Sequence, residues 1–111
     1  MLPRPLWNPR LYDMAGRFIA FPDAWFDDVG MAWEIDSKEW HLSPADYEAT
    51  VLRRSVLGAL DVELVQTLPQ TLDASPCVIL TELERTYLKA GRRPRPQLVA
   101  VPAPTTGTSV A

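Results

Sequence analysis

Apolar and polar residues follow two periods along this chain, close to two in the first third and three to four after it. The opening ten residues hold three prolines and two arginines, which favours an extended approach segment anchored by Trp7. Leu11-Tyr12 reads as a short strand ending in the turn Asp13-Met14-Ala15-Gly16. Arg17 to Trp25, rich in aromatic and branched residues, reads as a longer strand. Asp27-Asp28-Val29-Gly30 is the next turn and Met31 to Asp36 the returning strand, so residues 17 to 36 are predicted to form one β-hairpin. Ser43-Pro44-Ala45-Asp46 starts a helix, with serine as N-cap, proline at the first position and an acid in the first turn. Ala45, Ala49, Leu52, Val56 and Leu60 then make an apolar stripe predicted to face the core, with Arg53 and Arg54 mostly off it. Val62 to Thr67 is a strand ended by Pro69. Ser75-Pro76 opens a second helix on which Ile79, Leu83 and Tyr87 stack, and Gly91 stops it. The order β, β, β, α, β, α is a mixed α/β layout with helices packed on a small sheet.

Composition adds a boundary. Residues 92 to 111 are rich in proline, threonine and alanine, so a folded domain is expected over 1–91 and a disordered tail with a basic start over 92–111. A chain of 111 residues, 47% hydrophobic, suits one small domain. With 14 acids against 11 bases the net charge is -3, so nucleic acid would have to be met by a local patch. The single cysteine, Cys77, rules out an internal disulfide and sits in an apolar helical run, where a buried thiol is expected. No signal peptide and no run of about 18 apolar residues is present, which predicts a soluble, cytoplasmic protein without membrane contact.

The acids in the hairpin carry the candidate chemistry. If Asp27 to Gly30 form the loop and Phe26 pairs with Met31, Asp23 lies directly across from Glu34. Alternation puts Glu34, Asp36 and Lys38 on that same face, with Trp33 and Ile35 on the other. Facing β-carbons are roughly 5 Å apart, so two carboxylates there repel unless something positive lies between them. A divalent cation satisfies that need, and a nearby lysine can orient or deprotonate a water for phosphodiester hydrolysis. A solvated face whose acids pair with Lys38 and neighbouring arginines satisfies it equally.

Four segments, LPRPLWNP at residues 2–9, PDAW at 22–25, EIDSKEWHLSPADYE at 34–48 and the strand VELVQTLP, resemble one bacterial family. It is the group of PD-(D/E)xK nuclease-fold domains related to very-short-patch repair endonucleases. The resemblance implies a restriction-endonuclease-like mixed sheet flanked by helices, with the fold's first helix lying upstream of Met1, where relatives often carry an antitoxin-like winged helix. It implies magnesium or manganese held by Asp23 and Glu34, with Asp36 as a third acid. Lys38 or His41 would handle the water, and DNA would be the substrate. Asp36 stands where the motif has lysine, and Arg53-Arg54-Ser55 replaces an Arg-His pair of relatives.

Outside that motif, Arg53, Arg54, Arg92 and Arg93 are candidate phosphate contacts, and Arg95 extends the basic cluster. Trp25, Trp33 and Trp40 are expected in the core, with Trp25 sharing the face of Asp23. Two functions follow: a metal-dependent DNA endonuclease, or an inactive module of that fold binding nucleic acid or a protein partner in a defence or toxin-antitoxin setting. A truncated remnant is the third alternative.

Overall fold

The protein is described by a computed structural model over residues 2–35 and 43–104. Its central feature is the hairpin of β4 (Ala24–Phe26) and β5 (Met31–Ile35), which pairs Phe26 with Met31, Trp25 with Ala32 and Ala24 with Trp33. That is the register expected from the four-residue loop. Gly30 closes the loop at φ 74°, and its N–H donates to the Phe26 carbonyl at 2.9 Å. β1 (Leu6–Trp7) adds antiparallel to β4, and β6 (Glu63–Thr67) adds parallel to β5, giving a mixed sheet of order β1-β4-β5-β6. A parallel neighbour requires a crossover, and α1 (Pro44–Ala59) supplies it.

The long strand expected over residues 17 to 25 is two strands. β3 (Phe18–Ala20) pairs with β2 (Arg10–Asp13), while β4 belongs to the first sheet. The break falls at Phe21-Pro22-Asp23, because Pro22 has no N–H to give a ladder, and its fully buried ring marks where the chain changes sheets. The expected disordered tail from Arg92, and with it the domain boundary at residue 91, is likewise corrected for residues 92–104. β7 (Leu98–Val101) lies antiparallel to β2, from Arg10 opposite Val101 to Asp13 opposite Leu98, and completes a second sheet of order β3-β2-β7. The apolar run Leu98-Val99-Ala100-Val101 has the composition of a strand, and its proline-rich flanks hid it.

The two sides of the mixed sheet have separate cores. Trp25 and Ala32 face Leu57 of α1 together with Leu11, Ala20 and Leu98 of the second sheet. Phe26, Met31 and Val65 face Ile79, Leu83 and Ala90 of α3 (Pro76–Gly91), which α2 (Pro69–Ala74) precedes. Trp33 and the half-exposed Trp7 meet on that second side at 6.0 Å between rings, so Trp7 is anchored to an aromatic neighbour at the surface. Cys77, expected buried, is exposed on the outer side of α3. Trp40 lies outside the described residues. The result is a mixed α+β fold, and no helix among the described residues is long and apolar enough to cross a membrane.

Helix α1 departs furthest from its sequence pattern. Ser43 caps it, accepting from the Asp46 N–H at 3.1 Å, with Pro44 in the first turn, as expected. Its C-terminus closes with Asp61 at φ 63°, where the Asp61 and Val62 N–H groups donate to the carbonyls of Gly58 and Leu57. Most of the predicted apolar stripe, however, points away from the sheet: Leu52 is 63% exposed, and Ala45, Ala49 and Val56 are exposed with it, while Leu60 at its end packs on the core. Thr50, Arg53, Arg54, Leu57 and Leu60 form the inward side, of which Leu57 is buried.

Gly30 meets two constraints at once. Its φ is left-handed, and a β-carbon there would stand 2.3 Å from Cδ of Pro96 in the segment leading to β7. Gly30→Ala is expected to cost about 2 kcal/mol or more, measured as a lowered urea midpoint at unchanged slope. An unaltered midpoint would show that Pro96 does not pack on this turn.

Candidate functional site

Asp23, at the foot of β4, and Glu34, near the end of β5, project on the side of the mixed sheet that faces α1, the side Trp25 and Ala32 also occupy. The carboxylates are close enough that the Asp23 charge raises the Glu34 pKa. Each already has a protein partner. Oδ2 of Asp23 accepts the backbone N–H of Ile35 at 2.7 Å, tying β4 to β5 beyond their last ladder pair. Oε1 of Glu34 accepts from Nη2 of Arg53 at 2.9 Å, and the glutamate is only 6% exposed.

Burial is the largest influence on Glu34 and pushes its pKa above the ordinary value of 4.5. The Arg53 guanidinium opposes that shift most strongly, Asp23 adds to it, and the Arg54 charge opposes it. Arg53 and Arg54 thus approach the acids from the inward side of α1, where the sequence pattern had placed them off the core face. The signal that could have found them is the demand for positive charge at facing carboxylates, weighed against the apolar stripe of the same helix.

Of the expected metal and catalytic set, the structure brings together Asp23 and Glu34. Asp36, Lys38 and His41 lie outside the described residues. Among the described residues no group of three or more histidine, cysteine, aspartate or glutamate side chains is placed to hold a metal ion. A divalent ion of the magnesium type needs carboxylate oxygens that water and substrate can also reach. Glu34 is shut from water and already neutralised by a guanidinium, so the described residues fit an arginine here and not such an ion.

The other expected contacts sort differently. Trp25 is completely buried, with its Nε1–H donated to Oδ1 of Asp27 at 2.9 Å, so it offers no face to a base. Trp33 donates to Oγ1 of the buried Thr67 at 3.0 Å, a link no pattern announced. Arg93, expected at a phosphate, is ion-paired with Glu63 and with Asp61, the latter at 3.1 Å. Arg95 donates to the carbonyl and carboxylate of Asp27 and to the carbonyls of Pro96 and Leu98. It therefore clamps the β7 segment onto the β4–β5 loop. Arg92 remains exposed at the end of α3.

Comparison with protein-family models, with curated proteins and with solved structures found no match to this chain.

Because the folded Glu34 keeps its proton to higher pH than the unfolded chain, the folded state binds more protons in a window that opens near pH 4.5. Stability from this group is therefore greatest below that window and is lost as pH rises through the raised value. The difference in unfolding free energy between wild type and Glu34→Gln should fall across that window, as measured by urea midpoints from acid to neutral pH. A flat difference would mean Glu34 titrates in the folded chain as it does unfolded. Arg53→Met, which strands the glutamate, is expected to cost about 1–2 kcal/mol at neutral pH. The figure is below that of a fully buried pair because the arginine side chain is 40% exposed. No loss in the same urea assay would show that the ion pair is not maintained in solution.

Proposed function

We propose that this chain is a binding module with a restriction-endonuclease-like layout, whose acidic face is closed by Arg53 and which holds nucleic acid without cutting it. The observation that carries the reading is the buried Glu34 carboxylate joined to the Arg53 guanidinium, at the position where the family resemblance expects a metal ion. The facing of Asp23 and Glu34 on one hairpin, followed by a helix and a parallel strand, supports the kinship of layout. Neutralisation supports the loss of chemistry: a site for phosphodiester hydrolysis gathers unsatisfied negative charge to attract its cation, and here that charge is satisfied from within the chain.

Magnesium-dependent DNA cleavage is the second reading, favoured by the proximity of Asp23 and Glu34. It requires Arg53 to withdraw from Glu34 and depends on Asp36, Lys38 and His41. Titration calorimetry with magnesium and manganese, together with incubation on plasmid and single-stranded DNA, separates the two. The binding module is expected to show no saturable metal binding at millimolar concentration and no cleavage. Metal binding that disappears in Asp23→Asn, with cleavage that disappears in folded Glu34→Gln, would establish the hydrolase instead.

A further inference from the structure

The second sheet has a covered side and an open one. Leu11, Ala20 and Leu98 turn inward to the core, so alternation turns Arg10, Tyr12, Val99 and Val101 outward. The register sets Arg10 beside Val101 and Tyr12 beside both Val99 and Phe18. Phe18 is 51% exposed and Phe21 63%, and Val99 and Val101 are exposed with them. The three rings form a continuous row: Tyr12 meets Phe18 edge-on at 5.9 Å, and Phe18 meets Phe21 at 6.0 Å. Aromatic rings at such a density on an open sheet face carry a large apolar cost if left to water, which marks a binding surface.

Charge decides what the surface fits. The chain as a whole is acidic at -3, yet residues 10–20, which make β2, β3 and their turn, hold Arg10 and Arg17 against Asp13 alone. Asp13 is engaged by Arg17 at 2.8 Å, and Arg10 is in no ion pair among the described residues. A second copy packed face to face would bury Arg10 against apolar neighbours with no acid on that face to meet it, a costly arrangement. Single-stranded nucleic acid supplies both partners, since its bases present flat faces to the rings and its phosphates meet the arginine. Duplex DNA keeps its bases stacked inside the helix and offers the rings nothing.

We infer that the open face of the β3-β2-β7 sheet is a stacking platform for single-stranded nucleic acid, with Phe18 and Phe21 taking bases and Arg10 a phosphate. The inference rests on the binding-module reading and names its surface, which is remote in kind from the acids under α1: none of these residues belongs to the Asp23–Glu34–Arg53 group.

Fluorescence anisotropy on the full chain tests it, using a labelled oligothymidylate of about 15 nucleotides and a duplex of equal length. The single strand should bind more tightly than the duplex and weaken steeply as salt is raised from roughly 50 to roughly 200 mM. Phe18→Ala/Phe21→Ala should reduce affinity at least tenfold. Arg10→Glu should reduce affinity and flatten the salt dependence, and it tests the face without removing a ring should the double variant fold poorly. No binding at roughly 100 µM protein, equal affinity in folded variants, or a preference for duplex overturns the inference. Self-association that the Phe18→Ala/Phe21→Ala change abolishes also overturns it and gives the face to a second copy. Metal binding and cleavage are read on Asp23 and Glu34 variants, so failure of the platform is distinguishable from failure of the closed acidic face.

Discussion

A carboxylate that water barely reaches must be matched by positive charge, and the attitude of α1 follows from that requirement at Glu34. The helix offers the sheet two possible sides. Turning its apolar stripe inward would bury Leu52 and Val56, each worth about 1.5–3 kcal/mol when fully removed from water. It would also carry Arg53 and Arg54 away from two adjoining carboxylates, and stranding Glu34 by losing the part-exposed Arg53 costs about 1–2 kcal/mol. Asp23 adds negative charge beside Glu34 and Arg54 adds positive charge opposite it, so the observed attitude keeps both guanidinium groups with the acids. Leu57 and Leu60 preserve a hydrophobic foothold for the helix while the rest of the stripe is left facing solvent.

Arginine serves three separate ends in this small fold. Arg53 neutralises a buried acid, Arg95 gathers four backbone and side-chain acceptors to hold the last strand down, and Arg10 stands outward on an open sheet. The planar guanidinium suits the first two because it spreads several donors in a fixed fork. Basic residues in an acidic chain are therefore a poor guide to nucleic-acid contact until each has been asked what it already touches.

Local chemistry was legible in the sequence and the choice between faces was not. The hairpin register followed from a four-residue loop ending in Gly30, and the start of α1 from Ser43-Pro44; both depend on residues within a few positions of one another. The facing of Asp23 and Glu34 followed from that register. What escaped was set by distant partners. Pro22 divides a strand because each half finds a different sheet, Leu98–Val101 becomes a strand because β2 has a vacant edge, and Arg53 turns inward because Glu34 lies beneath it. In each case amphipathic pattern named an apolar or polar side without saying which neighbour would claim it. Cys77 illustrates the same point, since its helix buries Ile79 and Leu83 and leaves the thiol outside.

The pairing of β2 with β7 brings Arg10 alongside Val101, almost the full described length of the chain apart. β2 thus waits for β7, made about 90 residues later. At about 5–20 residues per second on the ribosome, that wait lasts several seconds, during which Leu11 has no β7 neighbour and the inner edge of β2 is open. Such long-range closure also slows the search for the native state once synthesis ends. The second sheet therefore cannot close before β7 has been made, and until then β2 presents an open strand edge.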